Sequence, residues 1–201
     1  MAQQLTATAA TEAGLSTTDL ARLVRIAREA AERGGAELMR HYGRLASIES
    51  KGRVGDLVTN ADLAAEKVVL DVLADATPDI AVLAEESGAA GEQDGLRWCV
   101  DPLDGTTNFA HGYPFFATSI GLTFRQTPVL GAIAVPFLGE VYWGAPGVGA
   151  FCNEQAINVS SCRSLEDSLL VTGFAYDRHT RLDNNYAEFC WLTHRTRGVR
   201  R

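Results

Sequence analysis

A change of residue type in the middle of the chain constrains the fold more than any other feature. Between residues 115 and 159 Val, Ile, Phe, Thr and Tyr are abundant, and a glycine or proline interrupts them every few positions. β-Branched and aromatic residues favour strands, whereas glycine and proline favour close turns. This stretch therefore predicts an antiparallel meander in which each strand pairs with the next.

The first part of the chain instead shows helical periodicity. Apolar side chains recur at helical spacing over residues 16–41 and 61–76, with charged residues on the opposite faces. Residues 16–19 have the composition of a helix N-terminus, and Pro78 marks the end of the second helix. Shorter elements are predicted as strands at 80–83, 96–100 and 168–172 and as a helix at 184–196. Helices followed by a meander predict an α+β fold with helices layered on a sheet.

Composition and charge narrow the class of protein. The 201 residues are 46 % hydrophobic and 21 % charged, which suits one large domain. The net charge of −7 gives no general attraction for nucleic acid or an anionic membrane. The first 17 residues contain no Lys or Arg, so the pattern of a secretory signal or transit peptide is absent. We expect a flexible tail over 1–17, one domain over 18–201, and a cytoplasmic protein that binds neither nucleic acid nor membrane.

Acidic residues recur where predicted elements begin or end. Asp62 opens the second helix, Glu85 follows one predicted strand, and Asp101 and Asp104 follow the next. Because ligand-binding residues gather in loops at strand ends, we expect these four carboxylates to share a pocket. Carboxylates so close together need cations to neutralise them. Oxygen-only ligands favour Mg²⁺, Mn²⁺ or Ca²⁺ over zinc.

The segment WCVDPLDGTTNF, at 98–109, adds a possible phosphate site to these acids. Its proline fixes the backbone φ, and a tight turn there would bring Asp101 and Asp104 to the same side. The carbonyl of Leu103 is then available as a further metal ligand. Gly105 allows close backbone approach, and the threonines after it begin a predicted helix whose N–H groups would face a phosphate. One loop is therefore predicted to supply metal ligands and an anion site.

Each of these residues alone has a simpler interpretation. Glu85 with Glu86 is a common surface pair, Asp62 is a common helix cap, and Lys51 is an ordinary exposed lysine. The four histidines form no metal-binding or triad pattern. The four cysteines are far apart without a C-x-x-C pair, so we expect reduced, buried thiols. It is the combination of the acids with the loop that favours a functional site.

Three ordered segments resemble the signature of the inositol monophosphatase family. They are DLVTNAD, LAEES and WCVDPLDGTTNF, and the later PFLGEVYWGAPGVGAFCN is similar to the strands that follow in that family. The resemblance begins near residue 20 and continues to the end of the chain. It implies a layered αβαβ(α) sandwich of the inositol monophosphatase and fructose-1,6-bisphosphatase type. It also implies a magnesium-dependent, lithium-sensitive phosphatase that hydrolyses inositol 1-phosphate or a similar small phosphate monoester.

The resemblance also implies a set of metal ligands. Glu85, Asp101 and the carbonyl of Leu103 would hold one Mg²⁺, and Asp101 with Asp104 would hold a second. Two or three ions would bind in total. Mn²⁺ is a substitute, and Li⁺ would inhibit at the second site.

Catalytic and phosphate-binding roles follow from the same resemblance. Glu85 and Thr106 would orient the attacking water, Asp62 would hydrogen-bond to Thr106, and Lys51 would lie near the site. A homodimer is left open, because members of the family are often dimers. The substrate phosphate would meet the loop formed by Leu103, Asp104, Gly105 and Thr106.

The chain departs from the family pattern at its C-terminus. Members carry a further aspartate in a Trp-Asp motif that completes the second metal site, and no Trp-Asp pair occurs in this sequence. We therefore expect the C-terminal portion of the fold to be absent. Because that portion holds most of the residues that select a substrate, histidinol phosphate, fructose bisphosphate and nucleotide 3′-phosphates remain alternative substrates.

Two alternative functions remain open. Phosphatases that form an aspartyl-phosphate also place an aspartate after a buried strand, but they need a second acid two residues later, where this chain has Leu103. A non-catalytic metal- or phosphate-binding protein, or an interaction protein, would keep the carboxylates without the C-terminal half-site.

Overall fold

The computed structural model describes residues 2–50, 57–90, 94–175 and 177–200. The chain forms two compact units, one of Met1–Glu49 with Leu57–Ile157 and one of Ser50–Asp56 with Asn158–Arg201. This differs from the predicted single domain over 18–201. Among the predicted site residues, Lys51 lies outside the described residues, and all the others belong to the first unit.

The elements of the chain follow one another as helices, a mixed sheet and a short C-terminal group. The helices are α1 (Ala2–Glu12), α2 (Thr17–His41), α3 (Asn60–Ala76), α4 (Thr106–Ala110) and α5 (Tyr186–Thr193). The strands are β1 (Ile48–Ser50), β2 (Leu57–Thr59), β3 (Ala81–Ala84), β4 (Gly88–Ala90), β5 (Leu96–Asp104), β6 (Ala117–Phe124), β7 (Thr127–Val135), β8 (Glu140–Ala145), β9 (Gly149–Cys152), β10 (Gln155–Ala156), β11 (Leu169–Val171) and β12 (Gly198–Arg200).

The first unit is built on an eight-stranded sheet with the order β10-β9-β8-β7-β6-β5-β3-β4. Strands β5 to β10 pair antiparallel with their sequence neighbours, which confirms the predicted meander. Within this sheet β3 and β5 pair parallel, and β4 forms an antiparallel edge next to β3. This mixed sheet with helices is the predicted α+β class.

Helices α2 and α3 pack against each other and against the central strands. Helix α2 begins at the predicted cap, where the Ser16 hydroxyl accepts the Asp19 N–H at 3.2 Å and the Asp19 carboxylate accepts the Ser16 N–H at 3.0 Å. Their shared core includes the fully buried Trp98, whose indole N–H donates to the Thr77 hydroxyl at 3.0 Å. This contact ties the C-terminal end of α3 to β5.

The N-terminal segment is helical, whereas the sequence predicted a flexible tail. Residues 2–12 form α1, which packs against β7 and buries Ala9 and Ala10. Alanine has the highest intrinsic helix propensity, and its small side chain allows close packing on a sheet. The tail was predicted from the absence of Lys and Arg and of a long apolar run, and neither observation measures helix propensity.

The second unit is small and mostly exposed. Strands β11 and β12 pair parallel, and the Arg197 guanidinium donates to the Asp167 carboxylate at 2.7 Å. The predicted strand at 168–172 and helix at 184–196 are present as the shorter β11 and α5. Helix α5 buries none of its residues within the described part of the chain.

Two further observations bear on the expectations from composition. None of the cysteines is buried, contrary to the prediction, since Cys99 and Cys152 are half-buried and Cys162 and Cys190 are exposed. None of the helices formed by the described residues has the length and apolar character needed to cross a bilayer.

Candidate metal and phosphate site

The parallel register of β3 and β5 places two carboxylates side by side. Ala84 is the partner of Val100, so the next residues along the two strands are Glu85 and Asp101. Equivalent positions of neighbouring strands carry their side chains on the same face. The Glu85 and Asp101 side chains are hydrogen-bonded to each other. The predicted convergence of these two acids is therefore present.

A β-bulge brings the third carboxylate to the same face. Asp101 is the partner of Ser119 and Asp104 is the partner of Ala117, so β5 has one residue more than β6 over this interval. Residues three apart in a regular strand point to opposite faces, and the additional residue reverses this relation. The sequence predicted a tight turn after Val100, whereas the strand continues to Asp104 through the bulge.

The carboxylate cluster changes the acidity of Asp101. Burial raises the pKa of Asp101 to about 8, and the Glu85 carboxylate and the charge of Asp104 contribute to the rise. The Leu103 N–H donates to Asp101 Oδ1 at 3.2 Å and opposes it. A carboxyl group with so high a pKa holds its proton at neutral pH unless a cation replaces that proton.

A second group of contacts centres on Asp62, at the start of α3. Asp62 is buried, and its Oδ2 accepts the Thr59 N–H at 2.8 Å and the Thr59 hydroxyl at 2.6 Å. Its Oδ1 accepts the Thr106 hydroxyl at 3.2 Å. Burial raises the pKa of Asp62, and the hydrogen bonds from Thr59 and Thr106 act against that rise. Asp62 is thus both a helix cap and the partner of Thr106, so the simple and the functional interpretations hold together.

Thr106 connects this group to the bulged strand. Its hydroxyl also lies 3.0 Å from the Leu103 carbonyl, a second acceptor for the same proton. The hydroxyl proton is therefore directed toward these two acceptors. The lone pairs of Thr106 are left to accept a hydrogen bond from elsewhere.

The turn between β5 and α4 requires glycine. Gly105 has φ +90°, and a Cβ at this position would lie 3.2 Å from the Phe115 carbonyl oxygen. That carbonyl also accepts the Asn108 side-chain amide at 2.8 Å. The helix that follows has only five residues, so its dipole is weak. The close contact at Gly105 is with the protein's own Phe115 carbonyl, so the glycine shapes the turn between β5 and α4.

The donor set suits a magnesium ion that keeps some of its water ligands better than a metal ion enclosed entirely by protein side chains. Across residues 2–50, 57–90, 94–175 and 177–200, no three His, Cys, Asp or Glu side chains are placed so that they could together hold one metal ion. Mg²⁺ commonly keeps several waters and takes one or two carboxylates together with substrate phosphate oxygens. The paired oxygens of Glu85 and Asp101, with Asp104 on the same face, suit that mode of binding.

Two residues of the site were missed from the sequence. Thr59 holds Asp62 in place, and the Thr-x-x-Asp spacing of a capping box was the available signal. Glu66 is 4 % exposed and accepts the Glu86 N–H at 2.9 Å. Its signal was the four-residue spacing from Asp62, which places both side chains on one face of α3.

Comparison with known protein families agrees with the sequence signature. A sequence model described as the inositol monophosphatase family matches residues 19–201. An inositol-1-monophosphatase from Synechocystis is 50 % identical over 195 residues, covering 96 % of this chain and 68 % of that relative. A fructose-1,6-bisphosphatase/inositol-1-monophosphatase from Aquifex aeolicus is 38 % identical, covering 78 % and 60 %. A Nus factor SuhB from Haemophilus influenzae is 34 % identical, covering 82 % and 62 %.

Solved structures show the same fold. The inositol monophosphatase of Anabaena (Nostoc) superimposes with a TM-score of 0.80 at 47 % identity, covering 91 % of this chain and 67 % of that one. The Thermotoga maritima enzyme gives a TM-score of 0.75 at 31 % identity, covering 92 % and 68 %. The chain thus spans between 60 % and 68 % of the length of the relatives named here.

Proposed function

The chain belongs to the inositol monophosphatase family, and from this premise we propose that it supplies the metal- and phosphate-binding part of a magnesium-dependent phosphatase. The family supports hydrolysis of phosphate monoesters as the reaction class. One observation carries the proposal: the Glu85–Asp101 pair and the Asp62–Thr106 pair lie on adjoining segments at one end of the sheet.

The carboxylates and one carbonyl would hold the metal. In this proposal Glu85, Asp101 and the Leu103 carbonyl would hold one Mg²⁺, and Asp101 and Asp104 would hold a second. Bound magnesium supplies Lewis-acid chemistry, since it lowers the pKa of water and stabilises negative charge that develops on a phosphoryl group. The protein's own part is to hold several carboxylates on one sheet face, where they repel each other in the absence of cations.

Thr106 and Asp62 would orient the attacking water. The Thr106 hydroxyl directs its proton toward Asp62 Oδ1 and the Leu103 carbonyl. A free lone pair of the Thr106 hydroxyl can then accept a hydrogen bond from the attacking water. Glu85 can accept a hydrogen bond from the other O–H group of the same water. Asp62 is held by Thr59 and cannot turn away from Thr106 without breaking two further hydrogen bonds.

The phosphate would be bound by the loop from Leu103 to Thr106. Gly105 allows the left-handed turn of this loop, from which the backbone N–H groups of Gly105 and Thr106 would donate to the phosphate oxygens. A direct attack by water needs no covalent intermediate. We therefore expect no phosphorylated Asp101, and trapping of such a species would overturn this mechanism.

Inositol 1-phosphate is the first candidate substrate. The Synechocystis and Anabaena relatives carry inositol monophosphatase in their names, and the Aquifex relative adds fructose-1,6-bisphosphate. Histidinol phosphate and nucleotide 3′-phosphates are further members of the proposed substrate class. We also propose that Li⁺ inhibits turnover by occupying the second metal position.

Phosphate release measured against Mg²⁺ concentration tests the proposed function. Inositol 1-phosphate and fructose bisphosphate serve as substrates, with Asp101→Asn as the variant that should abolish release. Magnesium-dependent release that the variant lacks would support the proposal. The absence of both magnesium binding and release from the wild-type chain would contradict it.

A second candidate is a metal-binding interaction protein without turnover. The relatives named Nus factor SuhB, at 34 % identity, favour keeping this possibility. Calorimetric titration with Mg²⁺, combined with the phosphate-release assay, separates the two candidates. A non-catalytic protein would bind Mg²⁺ and release no phosphate from any of the monoesters, whereas a phosphatase would do both.

A further inference from the structure

We infer that Glu66 is a positioning residue that fixes the direction of the Glu85 side chain, an inference that rests on the proposed function. Glu66 lies on α3, is 4 % exposed, and has no part in the metal or water contacts proposed above. Its Oε2 accepts the backbone N–H of Glu86 at 2.9 Å, across 20 residues of sequence. The hydrogen bond reaches the residue directly after the predicted ligand.

Both peptide groups that flank the Glu85 Cα are held by hydrogen bonds. The Glu85 N–H donates to the Val100 carbonyl at 3.0 Å, and the Glu86 N–H donates to Glu66. Each peptide group is planar, so two fixed planes leave φ and ψ of Glu85 little freedom. The direction of its Cα–Cβ bond toward Asp101 is set in this way.

The loop that carries Glu85 is short and lies beside the edge of the sheet. Glu85 begins a three-residue hairpin loop between Ala84 and Gly88, which are paired with each other. Gly88 has φ +81°, the left-handed conformation that such loops commonly need. Strand β4 has only three residues and forms the edge of the sheet. A buried carboxyl group from α3 therefore supplies a contact that the ladder cannot.

One face of α3 then holds both segments of the site. Asp62 and Glu66 are four residues apart and lie on the same side of the helix. Asp62 holds Thr106 at the end of β5, and Glu66 holds the loop that carries Glu85. The distance between the two residues proposed to orient the water is thus set by one turn of helix.

The chemical type of the side chain at position 66 matters because it accepts a hydrogen bond from the Glu86 amide N–H. An apolar residue at position 66 would leave the half-buried Glu86 N–H without the Glu66 carboxylate as its acceptor. Glutamine keeps an acceptor oxygen at the same distance from the backbone, whereas leucine keeps only the volume. Glu66→Leu and Glu66→Gln therefore separate hydrogen bonding from packing.

The test measures amide exchange and magnesium affinity on the full chain. We expect Glu66→Leu to lose protection of the Glu86 amide and to weaken Mg²⁺ binding by about 10- to 100-fold, the range seen when residues that orient metal ligands are changed. Glu66→Gln should retain most of both. Val69→Ala, a fully buried change on the same helix, is the control for general destabilisation and should leave magnesium affinity within about twofold.

The outcomes distinguish this inference from the proposed function. Wild-type magnesium affinity in Glu66→Leu, or an unchanged exchange rate at Glu86, would overturn the positioning role. An equal loss of affinity in Val69→Ala would also overturn it, because stability alone would then explain the effect. If the wild-type chain binds no Mg²⁺, the proposed function fails, and the exchange of the Glu86 amide still decides whether Glu66 holds the loop.

Discussion

Asp101 belongs to two sets of contacts, with Glu85 across the parallel pair and with Asp104 across the bulge. The charge of this one side chain is therefore influenced by two neighbouring carboxylates.

The pH dependence of stability should report on Asp101. Burial and its neighbours raise the pKa of Asp101 from 3.8 to about 8 in the folded chain. Folding then takes up a proton, so this contribution to the free energy of unfolding is complete below about pH 4 and is lost as the pH rises toward 8. We expect the Tm of the metal-free chain to fall between about pH 5 and pH 8, as measured by thermal denaturation in EDTA.

Asp101→Asn provides the control for that measurement. Asparagine cannot ionise, so its Tm should change less over the same pH range, with other groups contributing equally to both proteins. Identical pH profiles for wild type and variant would show that Asp101 is not the group responsible.

Gly105→Ala tests the close approach at the phosphate loop. The substitution adds the cost of a left-handed backbone, about 1–2 kcal/mol, and a contact with the Phe115 carbonyl at 3.2 Å. Gly112→Ala has a similar φ of +71° with nothing within 4 Å of its Cβ, so it carries the backbone cost alone. We expect chemical denaturation to show a larger loss for Gly105→Ala, and equal losses would argue against a tight fit at this loop.

Among the secondary-structure elements, the sequence predicted those that depend on apolar periodicity and on helix capping. Helices α2 and α3 and the meander follow directly from apolar spacing and from glycine and proline positions. The bulge in β5 was not predicted, because it depends on the pairing with β6. Pro102 was the only local sign, since proline inside a strand is confined to edges and bulges.

The sequence indicated which residues belong to the candidate site, but not which contacts bring them together. Spacing in the sequence placed Glu85 and Asp101 at strand ends, but the shared register that makes them neighbours is a tertiary property. Glu66 was overlooked because its four-residue spacing from Asp62 indicates only a shared helix face, whereas its contact is with a backbone N–H.

Gly34→Ala tests the packing of α2 on the sheet and on α3. A Cβ at Gly34 would lie 2.8 Å from the Thr118 methyl group and 2.8 Å from a Val69 methyl group. Thr118 also donates to the Pro102 carbonyl at 2.9 Å, so displacement would reach the bulged strand. Overpacking costs about 1–3 kcal/mol, more than the roughly 1 kcal/mol that alanine gains in helix propensity. We expect a net loss of stability in urea denaturation.

Gly35→Ala is the matched control on the neighbouring position. Its Cβ would lie 3.3 Å from Pro136, a contact that a small shift relieves. A smaller loss than at Gly34 is expected. Stabilisation by Gly34→Ala would contradict the view that α2 needs glycine to approach β6.

For the whole molecule, the expected class of fold is present and the expected single domain is not. The division into two units was not predicted, although the charge changes there: residues 158–201 carry seven Arg and five Asp or Glu, whereas the rest of the chain has an excess of acids. Helix α5 buries none of its residues within the described part of the chain.

Magnesium should stabilise the chain through the first unit. A ligand that binds only the folded state at 100 times its Kd adds about 2.7 kcal/mol to the free energy of unfolding. We expect Mg²⁺ to raise the Tm in differential scanning calorimetry and EDTA to reverse the rise. The increase should be absent in Asp101→Asn, and an equal increase in that variant would place magnesium binding elsewhere.

At position 103, in the bulge of β5, the side chain and the backbone carbonyl have different roles. The Leu103 side chain is 1 % exposed and packs in a small apolar cluster, while its carbonyl accepts the Thr106 hydroxyl. Exchange of leucine for another apolar residue changes only the packing, since every amino acid carries the same carbonyl. Insertions and deletions between Asp101 and Asp104 are a different matter. The number of residues there decides where that oxygen points, so position 103 tolerates exchange for another apolar residue, whereas the segment does not tolerate a change in length.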